Sequence, residues 1–235
     1  MSPSVRRLAM IKAVAGPVLT PAPVKPSLRG VSHQIAFYVA VVLGLVLIVT
    51  APSGEATTTA AIYAVGVCGL FGISALYHRR NWATERARTW MRRLDHSMIF
   101  VFIAATYTPV AVLTLDGTLG TVILLVVWIG ALAGVLLSLL WPGAPKWLTA
   151  IVYVTLGWVA VAAMPQLWDR LGPWSAIALA TGGVLYTLGA VVYARGRPDP
   201  RPAVFGYHEI FHAFVVVAAA THYAVIAFAV LPSAA

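Results

Sequence analysis

Charge is what this chain has least of. Asp, Glu, Lys and Arg make up only 10% of its 235 residues, and just seven of them are acidic. A soluble domain carries about 25% charged residues. Hydrophobic residues reach 60% and the mean hydropathy is +0.87. No soluble core absorbs that much apolar sequence, so the class is a polytopic integral membrane protein. Cysteine is almost missing as well. The single Cys68 lies in an apolar run, which rules out a disulfide framework or a cysteine zinc site and leaves it as a small apolar filler. Long repeats, low-complexity segments and a soluble domain are also lacking.

What is present is a series of seven apolar runs, each near the ~20 residues that span hydrocarbon. They cover roughly 33–51, 58–78, 94–115, 119–141, 147–166, 173–194 and 207–231. Turn chemistry separates them, as in Pro52-Ser53-Gly54, Asp116-Gly117, Pro142-Gly143-Ala144-Pro145, Leu171-Gly172-Pro173 and Gly196-Arg197-Pro198. Residues 1–30 read as a basic, mostly irregular cytoplasmic tail. A cleaved signal peptide is the alternative, but Lys12 and Pro17 break its apolar stretch. Residues 31–231 read as one all-α seven-transmembrane domain.

The net charge of +9 invites a nucleic-acid reading until it is placed. Fifteen of the sixteen Lys and Arg fall in the tail, in 79–93, in 142–146 and in 195–206. By the positive-inside rule these segments are cytoplasmic, which puts the N-terminus inside and the C-terminus outside. The charge is an orientation signal, and nucleic acid is not a partner. Trp82 and Trp90 among the arginines of 79–93 fit a segment lying on anionic lipid headgroups at the inner face, besides serving as a solvated loop. The expected location is the plasma (inner) membrane.

With depth assigned, the polar residues inside the runs gather at one level. Ser74 and His78, four apart, share a helix face at the inner end of the second run. Asp95 and His96 open the third, and His208 and His212 open the last. Three neutral imidazoles, from His78, His208 and His212, form a three-histidine set with an open fourth position, the pattern of catalytic zinc. Asp95 is then the candidate general base. Ser74 is the candidate hydrogen-bond donor to the water or to a developing oxyanion. Singly, each residue has a plainer role. A histidine pair at an interface can be mere hydrogen bonding, Ser74 a helix contact, and Asp95 a partner of Arg92 or Arg93. Their coincidence at one depth favours the metal. His33, at the inner end of the first run, is level with the site and a lesser candidate to touch it, and His96, turned about 100° from Asp95, reads as packing or interface. His222, about 15 Å deeper than His212, reads as an interhelical hydrogen bond.

His208-Glu209-Ile210-Phe211-His212 also matches the zinc-protease pattern His-Glu-Xaa-Xaa-His, in which Glu209 would be the base. Otherwise Glu209 pairs with Arg201 or another inner arginine. Taken together, Ser74-Ala75-Leu76-Tyr77-His78, Leu94-Asp95-His96, Ala105-Thr106-Tyr107-Thr108-Pro109 and His208-Glu209-Ile210-Phe211-His212 resemble the hemolysin III branch of the progestin and adipoQ receptor family. The likeness runs from about Arg29 to Leu231. It implies seven helices, a cytoplasmic N-terminus and a zinc ion near the inner leaflet. The implied ligands are His78, His208 and His212, with Asp95 acting through the zinc-bound water and Ser74 lining the site. The wider superfamily includes alkaline ceramidases, and bacterial members are linked to membrane homeostasis. Of the receptors' pattern before the first helix only His33 is present, which argues against hormone reception.

The leading reading is therefore a zinc-dependent hydrolase of a lipid amide or ester. A non-enzymatic membrane-state sensor with structural zinc and an intramembrane zinc protease are the alternatives. A pore is disfavoured, because the charged residues are confined to one face.

Overall fold

The structure, a computed structural model, describes residues 25–234. Most of the expected tail 1–30, and the signal-peptide alternative, lie outside the described residues. Two of the helices start where a short polar side chain replaces a missing backbone partner. Ser53 accepts the Ala56 amide at 3.2 Å and Thr84 accepts the Ala87 amide at 3.2 Å, each satisfying a donor that has no partner inside its helix. The elements are α1 (Val31–Thr50), α2 (Gly54–Arg79), α3 (Glu85–Thr114), α4 (Gly117–Leu140), α5 (Lys146–Gly157), a 3-10 stretch (Trp158–Ala163), α6 (Met164–Arg195) and α7 (Tyr207–Val225). A π turn, Ile226–Val230, and a 3-10 turn, Pro232–Ala234, follow α7.

Two expectations need correction. Six helical segments among the described residues are long and apolar enough to cross a membrane, not seven. The runs expected at 147–166 and 173–194 belong to one helical segment, Lys146–Arg195. Leu171-Gly172-Pro173 is not a loop. Gly172 alone leaves helical geometry, at φ 79° and ψ 165°, a region that only a residue without Cβ enters at low cost. Helical turns flank it on both sides, and α5 packs against α6. The expected termini, N inside and C outside, presumed an odd number of crossings and fall with the count. The second correction concerns 79–93, read as a loop. Residues 85–93 are helical and extend α3 beyond its apolar run. The Thr84 cap starts the helix there, and polar residues propagate it as readily as apolar ones.

The buried core is built mainly from α2, α3, α4, α6, α7 and the π turn after α7, with Tyr63, Phe100, Val127, Leu167 and Ile226 among its fully buried side chains. The opposite faces expose Val42, Val49, Leu132 and Phe228, as a lipid-facing surface does. Helix α1 buries only a narrow stripe, His33, Ala40, Gly44 and Leu47, so it sits at the periphery against α2 and α7. Gly182 lets α6 approach α7 so closely that a Cβ there would collide with the His222 ring. That ring hydrogen-bonds the Leu179 carbonyl through Nε2 at 3.1 Å, the interhelical bond expected of it.

Candidate metal centre

Three helices bring polar side chains to one end of the bundle. The last turn of α2 brings His78, α3 brings Asp95, and the first two turns of α7 bring His208 and His212. Helix α7 begins where it does because two carboxylates organise its first amides. Glu209 Oε2 accepts from the Gly206 amide at 2.8 Å, and Asp199 Oδ1 accepts from the Tyr207 amide at 3.0 Å. The pair His208/His212 then projects from a single face.

The side chains of His78, His208 and His212 each offer a ligand nitrogen, and these nitrogens lie within 4.8 Å of one another. His78 Nε2 and His208 Nε2 are 3.1 Å apart. Nitrogens held at ~2.05 Å by one tetrahedral ion are about 3.3 Å apart, so the spacing fits a shared metal. The rings meet edge to face, with centroids 4.7 Å apart for His78–His208, 5.1 Å for His78–His212 and 4.6 Å for His208–His212. His212 is buried and its Nδ1 has no hydrogen-bond partner. A buried imidazole nitrogen left unpaired is costly, which is a further reason to regard the trio as a ligand set rather than packing.

Asp95 lies beside the trio, with Oδ2 3.7 Å from His78 Nε2. It is buried at 8% exposure, ten residues inside α3. Among the described residues its only ion-pair partner is His78, so the plainer pairing with Arg92 or Arg93 is not formed. Ser74 is buried and lines the same cavity as Asp95. The five residues singled out in the sequence are thus brought together.

Three neighbours complete the surroundings. His33, a lesser candidate to touch the site, stacks on His212 with ring centroids 3.7 Å apart and planes within 7°. It is buried and neither ring nitrogen has a partner. Its signal in the sequence was its depth, level with the ligands. Of the inner arginines open to it, Glu209 pairs with Arg29, from the segment before α1, rather than with Arg201. No spacing rule links residues so far apart in the chain. His96 lines the adjoining cavity instead of packing away from it.

That cavity, about 200 Å³, opens from the histidines. Along α3 it is lined by Asp95, Ile99, Phe102, Ile103, Thr106 and Val110, and it continues to Leu115. Asp95 to Leu115 is about 30 Å along a helix axis, close to the thickness of bilayer hydrocarbon. The lining is almost wholly apolar beyond the polar end.

A family model described as haemolysin-III related matches residues 22–223. The chain belongs to the haemolysin III family. Its similarity to other haemolysin III proteins spans most of the sequence. It is 28% identical over 209 residues to hemolysin-3 of Bacillus cereus, covering 88% of this chain and 92% of that one. It is 31% identical over 155 residues to a hemolysin-3 homolog of Bacillus subtilis, covering 66% and 69%. The monocyte to macrophage differentiation factor of Homo sapiens is 31% identical over 168 residues, covering 70% of this chain and 67% of its own. The matched region of the family model holds Ser74, His78, Asp95, His208 and His212.

Proposed function

We propose that this haemolysin III protein is a zinc-dependent hydrolase that cleaves an amide or ester bond of a membrane lipid. The carrying observation is the meeting of three metal-capable imidazoles with a buried Asp95, which pairs with no Arg or Lys among the described residues, at the polar end of a long apolar cavity. His78, His208 and His212 would hold the ion. Bound zinc supplies a nucleophile at neutral pH by acidifying its water.

The protein's own groups do the rest. Asp95 accepts the proton released as a water oxygen bonds the carbonyl carbon. It returns that proton to the leaving amine or alcohol as the C–N or C–O bond breaks. Its separation from His78 suits bridging through one water oxygen. Ser74 can donate to the developing oxyanion. The apolar wall from Ile99 to Leu115 binds the acyl chain by removing it from competing surroundings, with the scissile bond held at the polar end. Arg79, Arg80, Arg86, Arg88, Arg92 and Arg93 crowd the same end. This supports placing the centre near the cytoplasmic leaflet, among anionic headgroups.

One contact weighs against the protease reading. The base that reading requires, Glu209, is engaged by Arg29 and by the Gly206 amide.

The test is metal content per chain and hydrolysis of a ceramide in mixed micelles, for wild type and for His208→Ala with His212→Ala. One zinc and turnover in wild type, with both lost in the double variant, is the expected result. A metal-free wild type, or full turnover in the double variant, overturns the proposal.

A further inference from the structure

The residues before α1 do more than enter the membrane. Ser27 and Leu28 donate their amides to the carbonyls of Ala203 and Val204, at 3.0 and 3.2 Å. The second partner segment is itself folded back, since Phe205 donates to the Arg201 carbonyl at 2.8 Å. Arg79, next to the ligand His78, donates to the Ser27 carbonyl at 3.4 Å. Gly30 sits at φ 78°, and a Cβ on it would lie 2.6 Å from His78 Cβ. One turn into α1, His33 stacks on His212. Within this strap one charged contact stands out. The Arg29 guanidinium meets Glu209, which lies between the two α7 histidines in sequence, is only 3% exposed and also caps Gly206.

We infer that Arg29 and Glu209 are positioning residues of the metal centre. Together they pin the strap to the first turn of α7, so that His208 and His212 are held against His78 and a bound ion is released slowly. The inference rests on the metal-site reading above. Its logic is that α1 packs chiefly against α2 and touches α7 far less, so the strap before it supplies much of the tie to the first turn of α7. The α7 ligands project from a helix start whose capping carboxylate is the one that Arg29 grips. Loss of the pin frees the first turn of α7 to fray, because its capping carboxylate no longer has a fixed direction.

Electrostatics makes the idea decidable. A guanidinium near a metal site repels the cation. If Arg29 acted only through its field, Arg29→Gln would slow metal release. If it acts as a pin, Arg29→Gln speeds release. Outer partners that orient metal ligands typically contribute about 10–100-fold to retention, so an acceleration of at least about ten-fold is expected.

The experiment follows zinc transfer to a chromogenic chelator from the purified full chain in detergent. Wild type, Arg29→Gln, Arg29→Lys, Glu209→Gln and the Arg29→Gln/Glu209→Gln double variant are compared. Arg29→Gln and Glu209→Gln should release faster, and the double variant should be no faster than the worse single, since both break one interaction. Arg29→Lys, which keeps a charged donor, should restore slow release in part. The visible spectrum of the Co²⁺-substituted protein should shift in Arg29→Gln and return toward wild type in Arg29→Lys, a readout that a general loss of stability does not produce. If Arg29→Gln does not fold, Arg29→Lys carries the test, because it keeps the charge and loses only the guanidinium geometry: the field alone leaves release unchanged, and the pin makes it faster than in wild type. Unchanged or slower release in variants that load one metal overturns the inference and leaves the metal site standing. Wild type that takes up no metal overturns the metal-site reading and this inference with it.

Discussion

Replacing Asp95 by Asn isolates one proton from everything else in the centre. The two side chains have nearly the same shape. Asp95 is buried at 8% exposure, and a neutral amide is cheaper to bury than a carboxylate, so folding should not suffer. The carboxylate oxygen is 3.7 Å from His78 Nε2 and stands outside the trio of ligand nitrogens. Zinc should therefore remain bound when supplied in excess, although losing a nearby negative charge weakens its hold. What disappears is the proton acceptor. General-base catalysis is worth about 10²–10⁴ in rate, or roughly 3–5 kcal/mol in the barrier. The expected result is near-stoichiometric zinc and a kcat on a ceramide lowered by about 10²–10⁴, with KM changed little because the acyl-chain cavity is intact. Metal analysis and turnover should be measured on the same preparation. A zinc-loaded Asp95→Asn protein working within about ten-fold of wild type would refute the assignment. Metal loss at saturating zinc would show that Asp95 is a ligand.

Three further outcomes follow from other contacts. With zinc held at saturation, Glu209→Gln should keep turnover within about ten-fold of wild type; a loss approaching the ~10²–10⁴ of a missing general base, seen in kcat, would revive the protease assignment. Gly183 lines the cavity and faces open space, so Gly183→Leu should fold normally yet shorten the room for an acyl chain. Comparing long- and short-chain ceramides should show the long one losing at least about ten-fold more in kcat/KM, and equal losses would deny that the chain lies there. Gly30→Ala forces a Cβ against His78 at a left-handed φ of 78°, costing about 1–2 kcal/mol for the backbone alone. A fall in Tm of about 2–4 °C per kcal/mol, together with faster zinc release, is the expected reading in a thermal melt and a chelator assay. An unchanged melt would deny the tight approach.

The reach of sequence reasoning can be seen in where it failed. Apolar run length located the spans at 33–51 and 58–78 within a few residues of α1 and α2, because hydropathy reports which segments avoid water. The same signal treated 85–93 as loop, since it does not register a Thr84 cap followed by a polar helix. It also turned Gly172 into a boundary, because a glycine that redirects a helix and a glycine that ends one look alike in one dimension. In the centre, Ser74, His78, Asp95, His208 and His212 were legible because helical spacing and membrane depth are both properties of the chain. His33 was visible at the right depth but carried no sign of its stacking on His212.

By itself, then, the sequence determined that this is a membrane protein of apolar helices and that three histidines and a carboxylate share one level. Those facts follow from residue type and periodicity. Tertiary structure alone decided that Lys146–Arg195 is one broken helical segment. It alone brought the ring nitrogens within 4.8 Å, kept Asp95 unpaired with any Arg or Lys among the described residues, and gave Glu209 to Arg29. Each of these depends on which helix neighbours which, and on side-chain directions at the end of the bundle where the helices meet. No local pattern encodes such contacts between residues far apart in the chain.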